Sequence, residues 1–212
     1  METKLIYDER LKYGLNYRKY VELTEKYIDQ TDVKNLNEEE LEKYNYTKLN
    51  LQRSKRIEKT FNPSNEIVEI IKNIYTSQTW MVITENWCGD SAQNLPYIAK
   101  LSELNKNINL VIVLRDSNLY IMNKYLTNGT MSIPILIVFD ENGDELFKWG
   151  PRPEKAKEEI KRLKKEEIVK PELYEKLHLW YGKNRGEELL KELSELLESA
   201  VSNQDIVKVT YI

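Results

Sequence analysis

Residues 87–91 read Trp-Cys-Gly-Asp-Ser, and Cys88 is the only cysteine of this 212-residue chain. An apolar run from Trp80 to Thr84 precedes them and predicts a buried strand, while residues 91–105 have the pattern of a helix. A cysteine on a strand-to-helix turn lies beside unpaired backbone N–H groups and at the positive end of a helix dipole, which favour the thiolate. We therefore expect Cys88 to be a surface-accessible thiol with a redox role.

Composition and charge exclude several classes of protein. The formal net charge is −3 and no basic block resembles a DNA-binding arm, so no nucleic-acid partner is expected. No run approaches the ~18 apolar residues of a membrane helix, and the first residues lack the apolar core of a signal peptide, so no membrane association is expected. A single cysteine cannot form an intramolecular disulfide, which is typical of a reducing compartment, and we expect a cytoplasmic protein.

Further strand signals follow the cysteine turn. The apolar run at 109–114 is continuous, as in a strand covered on both faces of a parallel sheet, and a second run lies at 133–139. Asn142-Gly143 predicts a hairpin into a return strand at 145–149. This order predicts an α/β fold with a mixed central sheet flanked by helices, in which a parallel crossover is followed by an antiparallel edge.

Helical patterns lie on both sides of the predicted sheet region. The N-terminal side has helix candidates at 8–30 and 38–59, and Asn37 with Glu40 predicts a capping box for the second. A helix of about ten residues is expected around 119–126, and the last helical region is interrupted near Gly182–Gly186. The predicted organisation is an N-terminal helical extension (1–62), an α/β domain (63–169) and a C-terminal helical extension (170–212).

These residues resemble the thioredoxin-like family. The resemblance rests on Trp87-Cys88-Gly89 after a buried strand, on Ile133-Pro134 at the start of a later strand and on the Asn142-Gly143 hairpin, and it covers roughly residues 65–150. The chain is also similar to a group of bacterial thioredoxin-like proteins that carry Trp-Cys-Gly-Asp together with Arg115-Asp116 and Trp149-Gly150-Pro151-Arg152-Pro153. The resemblance implies a thioredoxin-like fold in which Pro134 is cis and faces the active cysteine.

Two positions depart from the thioredoxin pattern. Ser91 stands where a dithiol enzyme has its resolving cysteine, and Val82 stands where typical thioredoxins bury an aspartate. A hydroxyl cannot resolve a mixed disulfide as a second thiol does. The sequence therefore predicts a monothiol protein that performs thiol–disulfide exchange or deglutathionylation through Cys88. Glutathione or another low-molecular-weight thiol would be the external resolving thiol, and no other cofactor is expected.

Cys88 and Ser91 are the catalytic candidates, and Asp90 opposes ionisation of the thiol while the helix end favours it. The balance predicts a thiol pKa of roughly 7–8.5. Arg115 and Arg152 are candidate cations for the sulfur or for the carboxylate of a glutathione-like thiol. The alternative is that each arginine pairs with a protein carboxylate, that Asp90 stabilises the first helical turn and that Ser91 caps it. The candidate binding residues are Trp87, Gly89, Asp90, Arg115, Ile133, Pro134 and Arg152.

Other functions stay open at this point. The partner is expected to be a protein or small-molecule thiol or disulfide, but the chain could instead be a non-catalytic binding module that pairs an extended peptide or partner protein with the backbone beside Pro134. A third alternative is a dimer that carries an iron–sulfur cluster, with one Cys88 and one external thiol per subunit.

His178 has no cysteine or carboxylate cluster at metal spacing, so it is predicted to be a packed structural residue and no metal site is predicted. The sequence does not indicate an oligomeric state.

Overall fold

A computed structural model describes residues 14–210 of the chain, with side chains for residues 14–200. Its centre is a four-stranded sheet, and the strands are β1 (Gln78–Thr84), β2 (Ile108–Leu114), β3 (Ile135–Phe139) and β4 (Glu145–Trp149). The order across the sheet is β2-β1-β3-β4. Strands β1 and β2 are parallel, whereas β3 runs antiparallel to β1 and β4 antiparallel to β3. The predicted α/β fold with a mixed sheet is confirmed.

Helices surround this sheet. Those in the described part of the chain are α1 (Tyr17–Gln30), α2 (Glu38–Thr60), α3 (Asn65–Lys72), α4 (Gly89–Ser102), α5 (Leu119–Met122), α6 (Glu154–Lys165), α7 (Lys170–Asn184) and α8 (Glu187–Thr210). None of these helices is long and apolar enough to cross a membrane.

Local sequence signals explain where several helices begin and end. The predicted capping box of α2 is present, because Asn37 Oδ1 accepts from the Glu40 backbone N–H at 3.0 Å and Glu40 Oε2 accepts from the Asn37 N–H at 2.9 Å. The expected break between α7 and α8 falls at Arg185, which has a left-handed backbone (φ 52°).

Two predicted helices are corrected. The helix expected over 8–30 begins at Tyr17, because Leu15 is used as an antiparallel bridge to Ile112 on the outer edge of β2; residues 8–13 lie outside the described residues. The helix expected around 119–126 has only four residues. The N–H groups of Lys124 and Tyr125 bond to carbonyls three residues earlier, so the chain tightens and the α-helix ends.

The core lies on both faces of the sheet, because successive side chains of a strand point to opposite sides. On one face, Trp80 and Val82 of β1 pack with apolar residues of α3, α4 and α8. On the other face, Met81 and Ile83 pack with the short helix α5 and with Cys88. The candidate nucleophile therefore belongs to a hydrophobic cluster of the fold.

Candidate active site

The turn between β1 and α4 carries the Trp-Cys-Gly-Asp-Ser sequence. The Cys88 N–H donates to the carbonyl of Glu85 at 3.2 Å, which closes the turn directly after the strand. Cys88 is the N-cap of α4, with an extended backbone (φ −78°, ψ 116°), and its side chain makes no capping bond. The helix starts at Gly89 rather than at the predicted residue 91, so its first turn contains Asp90 and Ser91.

The sulfur of Cys88 is covered. Cys88 is 7% exposed, and its S–H donates to the carbonyl of Ile133 at a Sγ–O distance of 3.4 Å. Burial, followed by the negative charge of Asp90, raises the pKa of the Cys88 thiol to about 11, although the Ser91 hydroxyl and the N–H groups of Asp90 and Ser91 act in the opposite direction. The expectations of a surface-accessible thiol and a pKa near 7–8.5 are therefore wrong, because desolvation outweighs the helix terminus.

Two loops meet beside the sulfur. The Ile133–Pro134 and Gly150–Pro151 peptide bonds are both cis. Gly150 has a φ of 127°, and a Cβ atom at this position would lie 2.3 Å from the Pro134 carbonyl oxygen. Only glycine permits this backbone and this approach. The loop that contains Pro134 is thus fixed against the loop that carries Arg152.

Asp90 is held by two other parts of the chain. Its Oδ2 lies 2.6 Å from Arg152 Nη2, and its Oδ1 accepts a hydrogen bond of 2.7 Å from the hydroxyl of Tyr181 on α7. The Asp90 side chain is only 8% exposed, so water does little to screen these contacts. Arg152 therefore has a protein carboxylate as its partner.

Trp87 and Arg115 form a neighbouring pair on the same edge of the sheet. The Arg115 guanidinium lies 4.8 Å from the centroid of the Trp87 ring, a cation–π contact. Arg115 also pairs with Asp116, at 2.7 Å from Nη2, and donates from Nη1 to the carbonyl of Met131 at 3.2 Å. Arg115 thus connects Trp87 to the segment that leads into Ile133.

Ser91 occupies the position of a resolving thiol. It is 1% exposed, and within the described part of the chain its Oγ has no nitrogen or oxygen partner. The hydroxyl lies close enough to the Cys88 sulfur to lower the thiol pKa. Ser91 also lines a cavity of about 10 Å³, together with Asn50, Asn86 and Tyr20. This cavity is about the size of one water molecule.

The profile of a family described as Thioredoxin matches residues 36–165, which is more than half of the chain. The chain belongs to this thioredoxin family. A solved protein of unknown function from Pseudomonas aeruginosa is similar in structure, with 18% identity and a TM-score of 0.60 over 92% of this chain and 98% of that one. An HIV epitope-scaffold has 17% identity and a TM-score of 0.58 over 91% of this chain and 97% of its own. Both likenesses concern the fold alone, and no curated protein matches the chain.

This thioredoxin-family protein places its single histidine against the cysteine turn. A Cβ atom on Gly89 would lie 2.7 Å from His178 Nε2 and 2.8 Å from Cε1. The other ring nitrogen, Nδ1, lies 3.2 Å from Gln93 Nε2, and the amide N–H donates to it when the ring is neutral. Burial, then the charges of Arg53 and Arg152, lowers the pKa of His178 to about 3. His178 is packed, as predicted, but no sequence signal indicated that it packs on the thioredoxin-family motif.

Helix α2 also contacts the cysteine turn, which sequence reasoning missed. Asn50 Nδ2 donates to the carbonyl of Asn86 at 3.1 Å, and Thr47 Oγ1 lies 3.4 Å from Asn86 Oδ1. Arg53 Nη1 donates to Asn50 Oδ1 at 2.9 Å, which orients the amide. The sequence feature that could have indicated this contact is the three-residue spacing of Thr47 and Asn50, because that spacing places both on one face of a helix with few apolar residues.

Val82, which stands where typical thioredoxins bury an aspartate, is fully buried as an apolar member of the core, in a different cluster from Cys88. Two ionisable groups of the neighbouring elements are Tyr20 of α1 and Glu85 of the turn. Burial raises the pKa of both groups, and the electrostatic interaction with Cys88 raises the pKa of Tyr20 further. Neither group would supply a carboxylate that removes the thiol proton, since Glu85 Oε1 accepts from the Asp116 N–H at 2.7 Å.

The candidate residues thus separate into two groups. Cys88, Ser91 and Ile133 meet around the sulfur, with Asp90 and Arg152 as the adjoining ion pair. Trp87 and Arg115 form a second contact beside them. No group of three or more histidine, cysteine or acidic side chains in the described part of the chain is arranged to hold a metal ion.

Proposed function

We propose that this thioredoxin-fold protein performs monothiol thiol–disulfide exchange through Cys88, with an external thiol as the resolving group. The observation that carries the proposal is the position of the sulfur, at the N-terminus of α4 and 3.4 Å from the carbonyl of Ile133, with the Ser91 hydroxyl beside it. The N–H groups of Asp90 and Ser91 stabilise a sulfur anion there, and Ser91 cannot complete a dithiol cycle.

The proposed chemistry has two steps. The Cys88 thiolate attacks a glutathionylated thiol, forms a Cys88–glutathione disulfide and releases the substrate as a thiolate. A glutathione thiolate then attacks the glutathione sulfur of that adduct, which restores Cys88 and yields oxidised glutathione. The thiol proton of Cys88 goes to water or buffer before the first step. Electrons balance, because one disulfide replaces another: the glutathionylated substrate and one reduced glutathione become the free substrate thiol and oxidised glutathione.

The raised thiol pKa sets the expected rate. With a pKa of about 11, roughly one Cys88 in 10⁴ is ionised at pH 7, against about three in 100 for an ordinary cysteine. A more basic thiolate is the better nucleophile, which recovers about tenfold of this loss. We therefore expect exchange about 30-fold slower than for an exposed cysteine at pH 7, and faster as the pH rises.

The test is uptake of glutathione from its disulfide, followed by intact mass, on the native protein between pH 7 and pH 9.5. The expected result is one adduct per chain, formed faster at each higher pH and removed by added reduced glutathione. The Cys88→Ser variant is the control and should stay unmodified. Native protein that takes up no glutathione over this range, while the urea-unfolded protein does, would contradict the proposal.

A second candidate function is a non-catalytic binding module of the thioredoxin fold, for an extended peptide or a partner protein. The 7% exposure of Cys88 favours it, because a covered and protonated thiol is a poor nucleophile. The glutathione experiment separates the two functions. For a binding module, the affinity for an isolated partner would be the same for wild type and Cys88→Ala, and reductant would not change it.

A further inference from the structure

Both carboxylate oxygens of Asp90 are occupied. Oδ2 lies 2.6 Å from Arg152 Nη2, and Oδ1 accepts from the Tyr181 hydroxyl at 2.7 Å. The Asn94 amide donates to the Asp90 carbonyl at 2.7 Å and also lies 3.3 Å from the Tyr181 hydroxyl. The carboxylate can therefore not rotate away from the first turn of α4 without losing partners. Its charge has a fixed position two residues after Cys88.

Several ionisable groups surround the sulfur. The groups that interact electrostatically with Cys88 are Asp90 on its own helix, Tyr20 of α1 and Arg152 of the loop between β4 and α6. Glu85 lies in the preceding turn, and Arg53 of α2 and His178 of α7 lie against Gly89. Asp90 is the charge that acts most strongly against ionisation of Cys88. Arg152 is the cation paired with that charge, and its guanidinium also interacts electrostatically with Cys88.

We infer that Asp90 and Arg152 are positioning residues that work in opposite directions on Cys88: the carboxylate of Asp90, fixed in the first turn of α4 directly after the cysteine, suppresses the reactivity of the sulfur, and Arg152 limits this effect by pairing with Asp90 at 2.6 Å. This rests on the proposed function in one respect, that Cys88 reacts as a thiolate. The Tyr181 hydroxyl, which comes from the C-terminal extension, holds the carboxylate in the place where it acts. The reactivity of the sulfur is thus adjusted by the balance of charge in the neighbouring ion pair.

Two variants that break the same ion pair should therefore change the reactivity of Cys88 in opposite directions. Asp90→Asn removes the negative charge and leaves the Arg152 guanidinium near the sulfur, so the thiolate becomes easier to form. Arg152→Gln removes the cation and leaves the carboxylate uncompensated, so the thiolate becomes harder to form. If the ion pair were purely structural, both variants would make Cys88 more reactive, because loss of either partner loosens the turn and exposes the thiol.

The experiment is the rate of alkylation of Cys88 by iodoacetamide, a neutral reagent, at pH 8.5 under pseudo-first-order conditions. We expect Asp90→Asn to react about three- to fivefold faster than wild type and Arg152→Gln about three- to fivefold slower, which is the net effect of about one pKa unit after the change in nucleophilicity. Circular dichroism and thermal melting show whether each variant is folded. Two folded variants that both react faster than wild type would overturn the inference.

A third variant keeps the test decisive if Arg152→Gln does not fold. The double variant Asp90→Asn/Arg152→Gln leaves no buried unpaired charge, so it is the one expected to fold. It should react more slowly than Asp90→Asn alone, because the guanidinium that favours the thiolate is gone. An equal or faster rate would overturn the inference. This readout uses no disulfide substrate, so a protein that fails to take up glutathione but shows these opposite shifts loses only the proposed exchange function.

Discussion

Tyr181 of α7 donates a hydrogen bond of 2.7 Å to Asp90 on the first turn of α4, across 91 positions of sequence. Tyr181 is 4% exposed, so this bond lies in the interior rather than on the surface. Helix α7 is thereby connected to the cysteine motif through the side chain of Tyr181. This contact fixes the Asp90 carboxylate, and it can be tested directly.

We expect Tyr181→Phe to lower the free energy of unfolding by about 1.5–3 kcal/mol, the typical value for a hydrogen bond to a charged group, because a buried carboxylate oxygen loses its donor. Urea unfolding followed by circular dichroism measures this. Tyr174→Phe is the matched control on the same helix, since Tyr174 is half-buried beside Lys170 instead of Asp90, and it should change stability by less than about 0.5 kcal/mol. Equal losses in the two variants would show that the Asp90 contact contributes nothing specific.

Gly89 leaves room for the imidazole of His178. A Cβ atom would come within 2.7 Å of Nε2, so we expect Gly89→Ala to destabilise the protein by about 1–3 kcal/mol as the ring or α7 shifts. Gly182→Ala is the control, because this glycine lies inside α7, where an added Cβ would meet no atom within 4 Å, and the variant should gain about 0.5–1 kcal/mol from helix propensity. Thermal or urea unfolding of both variants provides the comparison.

The cause of the Gly89 effect can be isolated in a double variant. If the clash with the ring is responsible, His178→Ala combined with Gly89→Ala should lose less stability than the sum of the two single changes, because the added methyl group then meets empty space. Additive losses would assign the effect of Gly89→Ala to the backbone of the turn instead.

Stability should depend on pH through His178. Its pKa is near 6.5 in the unfolded chain and is lowered to about 3 in the folded protein by burial, then by Arg53 and Arg152. Between these values the unfolded state binds one proton more, so the free energy of unfolding falls as the pH is lowered, by up to about 1.4 kcal/mol per pH unit. Urea unfolding at pH 7 and pH 5 should show this fall, and it should be smaller in His178→Gln.

A second measurement follows from the same residue. His178 is the only histidine in the sequence, so its ring signals in a proton NMR spectrum need no further assignment. We expect these signals to stay in the neutral form at pH 5 while the protein is folded. Titration with a midpoint near pH 6.5 in folded protein would contradict the packing of the half-buried ring against Gly89.

The sequence predicted the sheet well because its signals are local. The apolar run before Trp87 and the Asn142-Gly143 hairpin each lie within one element and its turn, and the strand bounds differ from the expected ones by at most two residues. The short helix α5 was overestimated, since its apolar pattern continues past the point where the backbone tightens at Tyr125.

The long-range contacts of the cysteine turn could not be predicted in the same way. The turn is contacted by side chains from distant parts of the chain, namely Asn50, His178 and Tyr181. A single sequence does not show which distant side chains are in contact. The error in the thiol pKa also comes from tertiary packing, because Cys88 is buried in a cluster with Met81, Ile83 and Ile133. The helix terminus was visible in the sequence, but the burial that outweighs it comes from the tertiary packing around Cys88.

The last prediction concerns Ser91, the position of the missing second thiol. Because its hydroxyl lies close enough to the Cys88 sulfur to lower the thiol pKa, a sulfur at this position lies within reach of a disulfide, and we expect Ser91→Cys to form one within the chain on oxidation. Intact mass should show the loss of two hydrogen atoms, and both thiols should resist alkylation until a reductant is added. Ser91→Ala, which removes the hydroxyl alone, is the control and should keep one alkylatable thiol. The oxidant is oxidised glutathione, which forms a mixed disulfide with one thiol and leaves as two reduced glutathione molecules when the second thiolate resolves it. Two free thiols in the folded Ser91→Cys protein after this treatment would contradict the geometry of the turn.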